Sequence, residues 1–226
     1  MMIPTAVLFD FGSTLFAHRP LADTVFACAH GCGAAIDQSW ARGVAERINV
    51  AAHSPDQLAR GRDLSAAVWF EQWHELYSLA DDEVPGLGAA VYEAMHAAHE
   101  WVPYASAIDT LRVLDAADVP VGVVSNTGWD IRAVFAHYGL LHTVRHFSLS
   151  YEFGDVKPAA GIFLAACEAL GQEPGDVLMV GDDPTADSGA AWAGVRTLLL
   201  PVLPAGADNG LDVVTQMVAC DASIRA

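Results

Sequence analysis

Asp10 ends a short apolar run, and Gly12 follows two positions later. Further along come Ser125-Asn126, then Lys157-Pro158, then Gly181-Asp182-Asp183-Pro184-Thr185-Ala186-Asp187. These residue types suit phosphoryl transfer, which needs a nucleophile, a metal ion and cationic groups on the phosphoryl oxygens. A carboxylate can attack phosphorus to form an aspartyl-phosphate that water then hydrolyses, so Asp10 is the candidate nucleophile. Mg²⁺ prefers hard oxygen ligands, and Asp182, Asp183 and Asp187 supply carboxylates beside Asp10. Four acids together are unfavourable without counter-charge. A divalent cation and Lys157, the only lysine in the chain, would provide it. Ser125 and Asn126 can donate hydrogen bonds to a phosphoryl group. Thr14 can steady the turn that carries Asp10, and it joins the candidate substrate-binding residues.

These residues must be positioned by regular elements. Ala6 to Phe9 is a fully apolar run, the pattern of a parallel strand buried on both faces. Val121 to Val124, Val177 to Val180 and Val195 to Leu200 repeat it. Helical spacing lies between them: Ile131/Val134/Phe135/Tyr138, Ile162/Phe163/Ala166/Leu170 and Ile108/Leu111/Leu114. Strands alternating with helices predict an α/β fold with a parallel sheet and right-handed crossovers. Residues 18–100 differ. Leu21/Val25, Trp40/Val44/Ile48, Trp69/Trp73/Leu76/Tyr77 and Leu87/Val91/Met95 are all spaced as helices, with no strand-like run among them. This segment is expected to form an all-helical insertion after the first strand. Ligands of open parallel sheets bind beyond the carboxyl ends of the strands, where Asp10, Ser125 and Asp182 would converge, and the insertion would cover that crevice as a lid.

Taken in order, Asp10-Phe11-Gly12-Ser13-Thr14, Val123-Val124-Ser125-Asn126, Gly154-Asp155-Val156-Lys157-Pro158 and Gly181 to Asp187 resemble the four motifs of the haloacid dehalogenase (HAD) superfamily. The likeness is to the members with a helical C1 cap. It covers residues 1–17 and 101–226 as a Rossmann-like α/β core domain, with 18–100 as the cap domain. The resemblance implies that Asp10 is the nucleophile. It also implies that Asp10, the backbone carbonyl of Gly12 and Asp182 bind Mg²⁺, with Asp183 or Asp187 supporting them. Ser125 and Lys157 would bind the phosphoryl oxygens.

One position departs from the family pattern. Phosphatases of this family commonly carry a second aspartate two residues after the nucleophile, as general acid for the leaving group; here it is Gly12. General acid catalysis typically contributes about 10²–10⁴-fold. Either the leaving group needs little protonation, or another residue such as His18 supplies the proton, or turnover is slow. Phosphonatase chemistry resembling the family's would need a cap lysine, and none exists. A β-phosphoglucomutase-like role would use the missing acid. The family's 2-haloacid dehalogenases also lack that acid, but they work without metal and have a less acidic last motif. The expected activity is therefore Mg²⁺-dependent hydrolysis of a small phosphorylated metabolite. A 2-haloacid dehalogenase-type hydrolase is the alternative, and a non-catalytic HAD-like binding protein a third reading.

The 226 residues carry 28 acids against 11 bases, a net charge of −17. Such acidity disfavours nucleic acid and anionic membrane as partners and leaves small molecules and cations. With 53% apolar residues the chain can bury a sizeable core. No apolar run approaches the ~20 residues of a membrane span, and no basic residue precedes Arg19, so a cytoplasmic protein without a cleaved leader is expected. Cys28, Cys32, Cys167 and Cys220 do not form a disulfide framework, and Cys28 and Cys32, spaced i, i+4, are expected as buried thiols on a helix. Trp69, Phe70, Trp73 and Tyr77 read as packing of the cap interior, and Trp129 as either packed or facing the pocket. His96/His99 and His142/His146 read as solvated or packed side chains. Of the cap arginines Arg42, Arg47, Arg60 and Arg62, the Arg60-Gly61-Arg62 loop is the best candidate for gripping an anionic substrate tail.

Overall fold

A computed structural model describes residues 3–218. The expected parallel sheet is present and has five strands, in the order β5-β4-β1-β6-β7. These are β1 (Ala6–Phe9), β4 (Val121–Ser125), β5 (His146–Leu149), β6 (Val177–Gly181) and β7 (Arg196–Leu199). All neighbouring pairs are parallel, with Phe9 level with Val123 on one side and Val180 on the other. β1 is central and entirely buried, as its unbroken apolar run requires. Its side chains alternate between the two faces: Val7 and Phe9 join one hydrophobic cluster, Ala6 and Leu8 the other. The first face is covered by α6 (Ala107–Ala116), α7 (Arg132–His137) and α10 (Val214–Met217). The second is covered by α9 (Ala160–Ala169) and the 3₁₀ turns of residues 187–193. A four-residue helix, α8 (Ser150–Phe153), follows β5.

Besides β5, two short strands outside the sheet were not foreseen. β2 (Phe16–His18) and β3 (Trp101–Pro103) pair antiparallel, with Phe16 opposite Pro103 and His18 opposite Trp101. At three residues each they are too short to show a period. They bracket five helices: α1 (Leu21–Gly31), α2 (Gln38–Ala52), α3 (Pro55–Ala59), α4 (Ala66–Tyr77) and α5 (Leu87–Met95). No strand interrupts this run. Local chemistry starts the helices. Asp37 accepts the backbone N–H of Trp40 at the head of α2, and Ser54 with Pro55 opens α3. Val25, Val44, Ile48, Leu76, Leu87 and Val91 meet in a hydrophobic cluster separate from both clusters of the sheet. Among the described residues, no helix is long and apolar enough to cross a membrane. Cys167 is buried, but Cys28 is half-buried and Cys32 exposed, which corrects the expectation for those two. Cys220 lies outside the described residues.

Candidate active site

Three strand ends build the floor. Asp10 follows β1 and is fixed by its backbone N–H donating to the Val180 carbonyl. Ser125 ends β4, and Asp182 follows β6. All three line one cavity of about 380 Å³, together with Gly12, Asn126, Lys157, Asp183 and Asp187. Ser13, beside Gly12, sits at φ 60°, a left-handed conformation rare for a residue with a side chain.

Lys157 reaches into the centre. Its Nζ donates to Asp10 Oδ1 at 2.5 Å and to Asp187 Oδ1 at 2.7 Å. All three residues are buried. The second oxygen of Asp187 accepts the backbone N–H groups of Asp182 and Asp183, each at 2.9 Å. Thr14 Oγ1 donates to Asp182 Oδ1 at 3.0 Å. Two glycines let this knot close. A Cβ on Gly181 would lie 2.2 Å from Asp187 Oδ2, and one on Gly189 would lie 2.5 Å from Pro158.

Burial pushes the Asp10 carboxyl up to about 7; Lys157 pulls it back, while Asp187 and Asp182 push it further up. Burial also raises Asp182, against the pull of its Thr14 hydrogen bond. For Lys157 burial acts downward, but Asp10 and Asp187 outweigh it and raise its pKa above the ordinary lysine value. Asp10, Asp182 and Asp187 each place a carboxylate oxygen within 4.8 Å of the others. Three hard oxygen donors so close, with one ammonium for counter-charge, fit a divalent cation. Such an ion would favour the ionised form of Asp10 that burial disfavours.

Several expected residues take other jobs. Asn126 spends its amide on the backbone of residue 157, its Nδ2 donating to the carbonyl at 3.0 Å and its Oδ1 accepting the N–H at 2.8 Å. It thereby holds the backbone of Lys157 while lining the cavity. Thr14 is fully buried, lies outside the cavity lining and bonds Asp182. Asp187 belongs to the carboxylate trio, yet both its oxygens are already engaged, one by Lys157 and one by two backbone amides. Asp183 turns Oδ1 back to the N–H groups of Thr185 and Ala186 and is not one of the clustered carboxylates. His18 bonds the Arg19 carbonyl and stacks edge-on against Trp101, outside the cavity lining.

The roof corrects two further expectations. Trp69, Trp73 and Tyr77 of α4 line the cavity instead of packing only among themselves. Trp129 faces it too, with Trp101, Met95 and His96. Gly128 admits the cap: a Cβ there would lie 2.2 Å from that of Trp69. The Arg60-Gly61-Arg62 loop does not reach the cavity. Arg60 pairs with Glu75 at 2.6 Å. Arg62 donates to the Ala52 carbonyl and its guanidinium lies 4.9 Å from the Trp73 ring centre. One supporting residue had no signal in the sequence: Asn209, whose Nδ2 holds the Thr14 carbonyl across the fold at 3.0 Å.

This architecture recurs in known proteins. The haloacid dehalogenase-like hydrolase profile matches residues 4–194. An uncharacterized hydrolase of Schizosaccharomyces pombe is 39% identical over 77 residues, 31% of this chain and 34% of that protein. The chain thus spans about a third of that relative in the match. The ribulose-1,5-bisphosphate 5-phosphatase of Halopiger xanaduensis is 28% identical over 211 residues, covering 86% of this chain and 84% of that one. Among solved structures, the HAD phosphatase of Thermococcus onnurineus superposes with a TM-score of 0.64 at 22% identity, over 96% of this chain and 99% of that one. With the profile matched from the first strand through the turns after Asp187, the chain belongs to the haloacid dehalogenase-like hydrolases.

Proposed function

We propose that this hydrolase is a Mg²⁺-dependent phosphatase that cleaves a small phosphate monoester through an aspartyl-phosphate at Asp10. The observation that carries the reading is the single lysine of the chain, buried and bonded to both Asp10 and Asp187 beside Asp182. An anion entering there meets one ammonium and three carboxylates, so it needs a second cation. That need argues against metal-free dehalogenation at the same nucleophile. The phosphatase named above, related over most of its length, supports the same reading.

In this mechanism Asp10, the Gly12 carbonyl and Asp182 would hold Mg²⁺, which would neutralise charge on the phosphoryl oxygens. Lys157 binds a phosphoryl oxygen from the other side, and the Ser125 hydroxyl donates to another. One Asp10 oxygen attacks phosphorus, and the ester oxygen leaves with the bonding pair. Water then attacks the phosphorus of the aspartyl-phosphate, releasing inorganic phosphate and restoring the Asp10 carboxylate. Asp187, Asn126 and Thr14 act through others: the first two position Lys157, and Thr14 positions Asp182. Residues 18–100 serve as the cap domain over a core of 1–17 and 101–226, closing the cavity against water.

The test is phosphate release from acetyl phosphate and phenyl phosphate with Mg²⁺ and with EDTA, in wild type and in Asp10→Asn. Mg²⁺-dependent release that Asp10→Asn abolishes is expected. Halide release from 2-haloacids in EDTA, or full activity in Asp10→Asn, would overturn the reading.

A further inference from the structure

The cavity has two chemically opposite ends. Its floor holds Asp10, Asp182, Asp183 and Asp187 against Lys157, which is the only basic side chain of Lys or Arg type in the lining. Its roof is aromatic. Trp69 and Trp73 lie 5.6 Å apart edge to face, Trp73 stacks on Tyr77 at 5.2 Å, and Trp101 and Trp129 are 6.0 Å apart. His96 belongs with this apolar set. Its Nε2 accepts the Trp69 indole N–H at 2.8 Å, which leaves Nδ1 to carry the proton donated to the Tyr92 carbonyl at 2.7 Å. Burial lowers its pKa as well. His96 is thereby held neutral, with no proton to offer a ligand.

Two independent features then bear on the leaving group. The roof offers ring faces and no cation, so a second phosphate or a carboxylate there would meet apolar walls and the field of four carboxylates. Flat apolar groups gain from such walls by offset or edge-to-face stacking. Separately, the floor lacks a group to protonate the departing oxygen. Position 12 is glycine, His18 lies outside the cavity, and His96 has its proton committed. Without an acid, departure favours oxygens of low basicity, as in a phenol or enol rather than an alcohol.

We infer that the substrate is a phosphate monoester of a neutral, flat aromatic or enolic alcohol, whose ring is held among Trp69, Trp73, Trp101 and Trp129. The inference rests on the phosphatase reading and narrows it. The balanced step breaks the aryl–oxygen to phosphorus bond as Asp10 Oδ bonds to phosphorus. The aryloxide takes a proton from water, and hydrolysis of the aspartyl-phosphate consumes the hydroxide left behind. The sum is ester plus water giving phenol plus hydrogen phosphate.

The experiment compares phenyl phosphate, acetyl phosphate, glycerol phosphate and a sugar bisphosphate with Mg²⁺ present. Acetyl phosphate has a weakly basic leaving group but no ring, so it tests the phosphatase chemistry alone. Phenyl phosphate is expected to show the lowest KM, and the alkyl and bisphosphate esters the lowest kcat/KM. Trp129→Ala and Trp69→Leu should raise KM for phenyl phosphate about tenfold more than KM for acetyl phosphate. Trp129 lies on a loop of the core, so its variant does not depend on the cap helices packing correctly. Binding has its own readout: phenylphosphonate, which cannot turn over, should quench tryptophan fluorescence saturably in Asp10→Asn. Turnover of acetyl phosphate with no preference for phenyl over glycerol phosphate overturns the inference and leaves the phosphatase reading intact. Failure to release phosphate from any of the four overturns both.

Discussion

Lys157 Nζ lies 2.5 Å from Asp10 Oδ1, and the lysine is held there from two further directions: by Asp187 on its ammonium and by Asn126 on its backbone. The nucleophile of the proposed reaction is thus paired with the group that would receive the phosphoryl oxygens. Substrate entry must exchange this contact for one between Lys157 and phosphate.

Removing the ammonium should expose that dependence. In Lys157→Met, two buried carboxylates lose their partner, a change that typically costs roughly 3–5 kcal/mol unless a proton or cation compensates. We expect kcat to fall by about 10²–10³-fold, the scale of losing one oxyanion donor, and Mg²⁺ to raise Tm more than in wild type. Unchanged kcat in a folded variant would refute the role given to Lys157.

The raised pKa of Asp10 sets a pH dependence with a definite sign. Its folded value of about 7 stands above its ordinary 3.8, so the folded state binds the proton more tightly. Stability is unaffected below about 4, falls as pH rises to about 7, and then levels off, at a cost on the order of a few kcal/mol. Lys157 is shifted upward from 10.5 and changes nothing in that window. Melting curves in EDTA should therefore show Asp10→Asn gaining on wild type between pH 4 and 7. Mg²⁺ should reduce that gain. A constant difference across the range would contradict the shift.

Gly181 tests the geometry beneath the lysine. A methyl group there would collide with the Asp187 carboxylate, at 2.2 Å from Oδ2. Gly181→Ala should therefore displace Asp187 from Lys157 and from the Asp182 and Asp183 amides. Overpacking of this kind costs about 1–3 kcal/mol. The activity loss, tenfold or more, should exceed what the drop in Tm accounts for; a variant as active as wild type would show that Asp187 is not needed where it sits.

Gly12 offers the opposite experiment. A Cβ there meets nothing within 4 Å, and the position borders the cavity. Gly12→Asp should fit and restore an acid near the departing oxygen. Hydrolysis of glycerol phosphate should rise by about 10²-fold, within the usual range for general acid catalysis, and phenyl phosphate much less. Equal gains on both esters, or none, would show that protonation of the leaving group does not limit the rate.

Much of this was legible in the residues. Long apolar runs ending in Asp10, Ser125 and Gly181-Asp182 marked three strands, because a strand buried on both faces leaves no room for alternation. β5 escaped because His146-Phe147-Ser148-Leu149 lies at the sheet edge, where half-buried polar residues blur the pattern. The acid cluster and Lys157 could be read from type and order. The duties of Asn126, Thr14 and Asp187 could not, since each is settled by which backbone amide or side chain comes within 3 Å across the fold. The α4 aromatics show the limit most clearly. Trp69, Trp73 and Tyr77 have the spacing of a packed helix face, and only the approach of Gly128 to Trp69 reveals that this face looks onto the cavity.

The antiparallel pairing of His18 with Trp101 brings the two ends of the helical segment together at the spacing of neighbouring strands, about 5 Å. The chain leaves and rejoins the sheet through one narrow neck, and none of the five sheet strands is interrupted by the excursion. A segment of different length and sequence, with its ends equally close, would graft onto the same neck without altering the register of β1 or β4. Exchanging the insert would therefore replace the roof of the cavity while leaving Asp10, Lys157 and Asp182 in place.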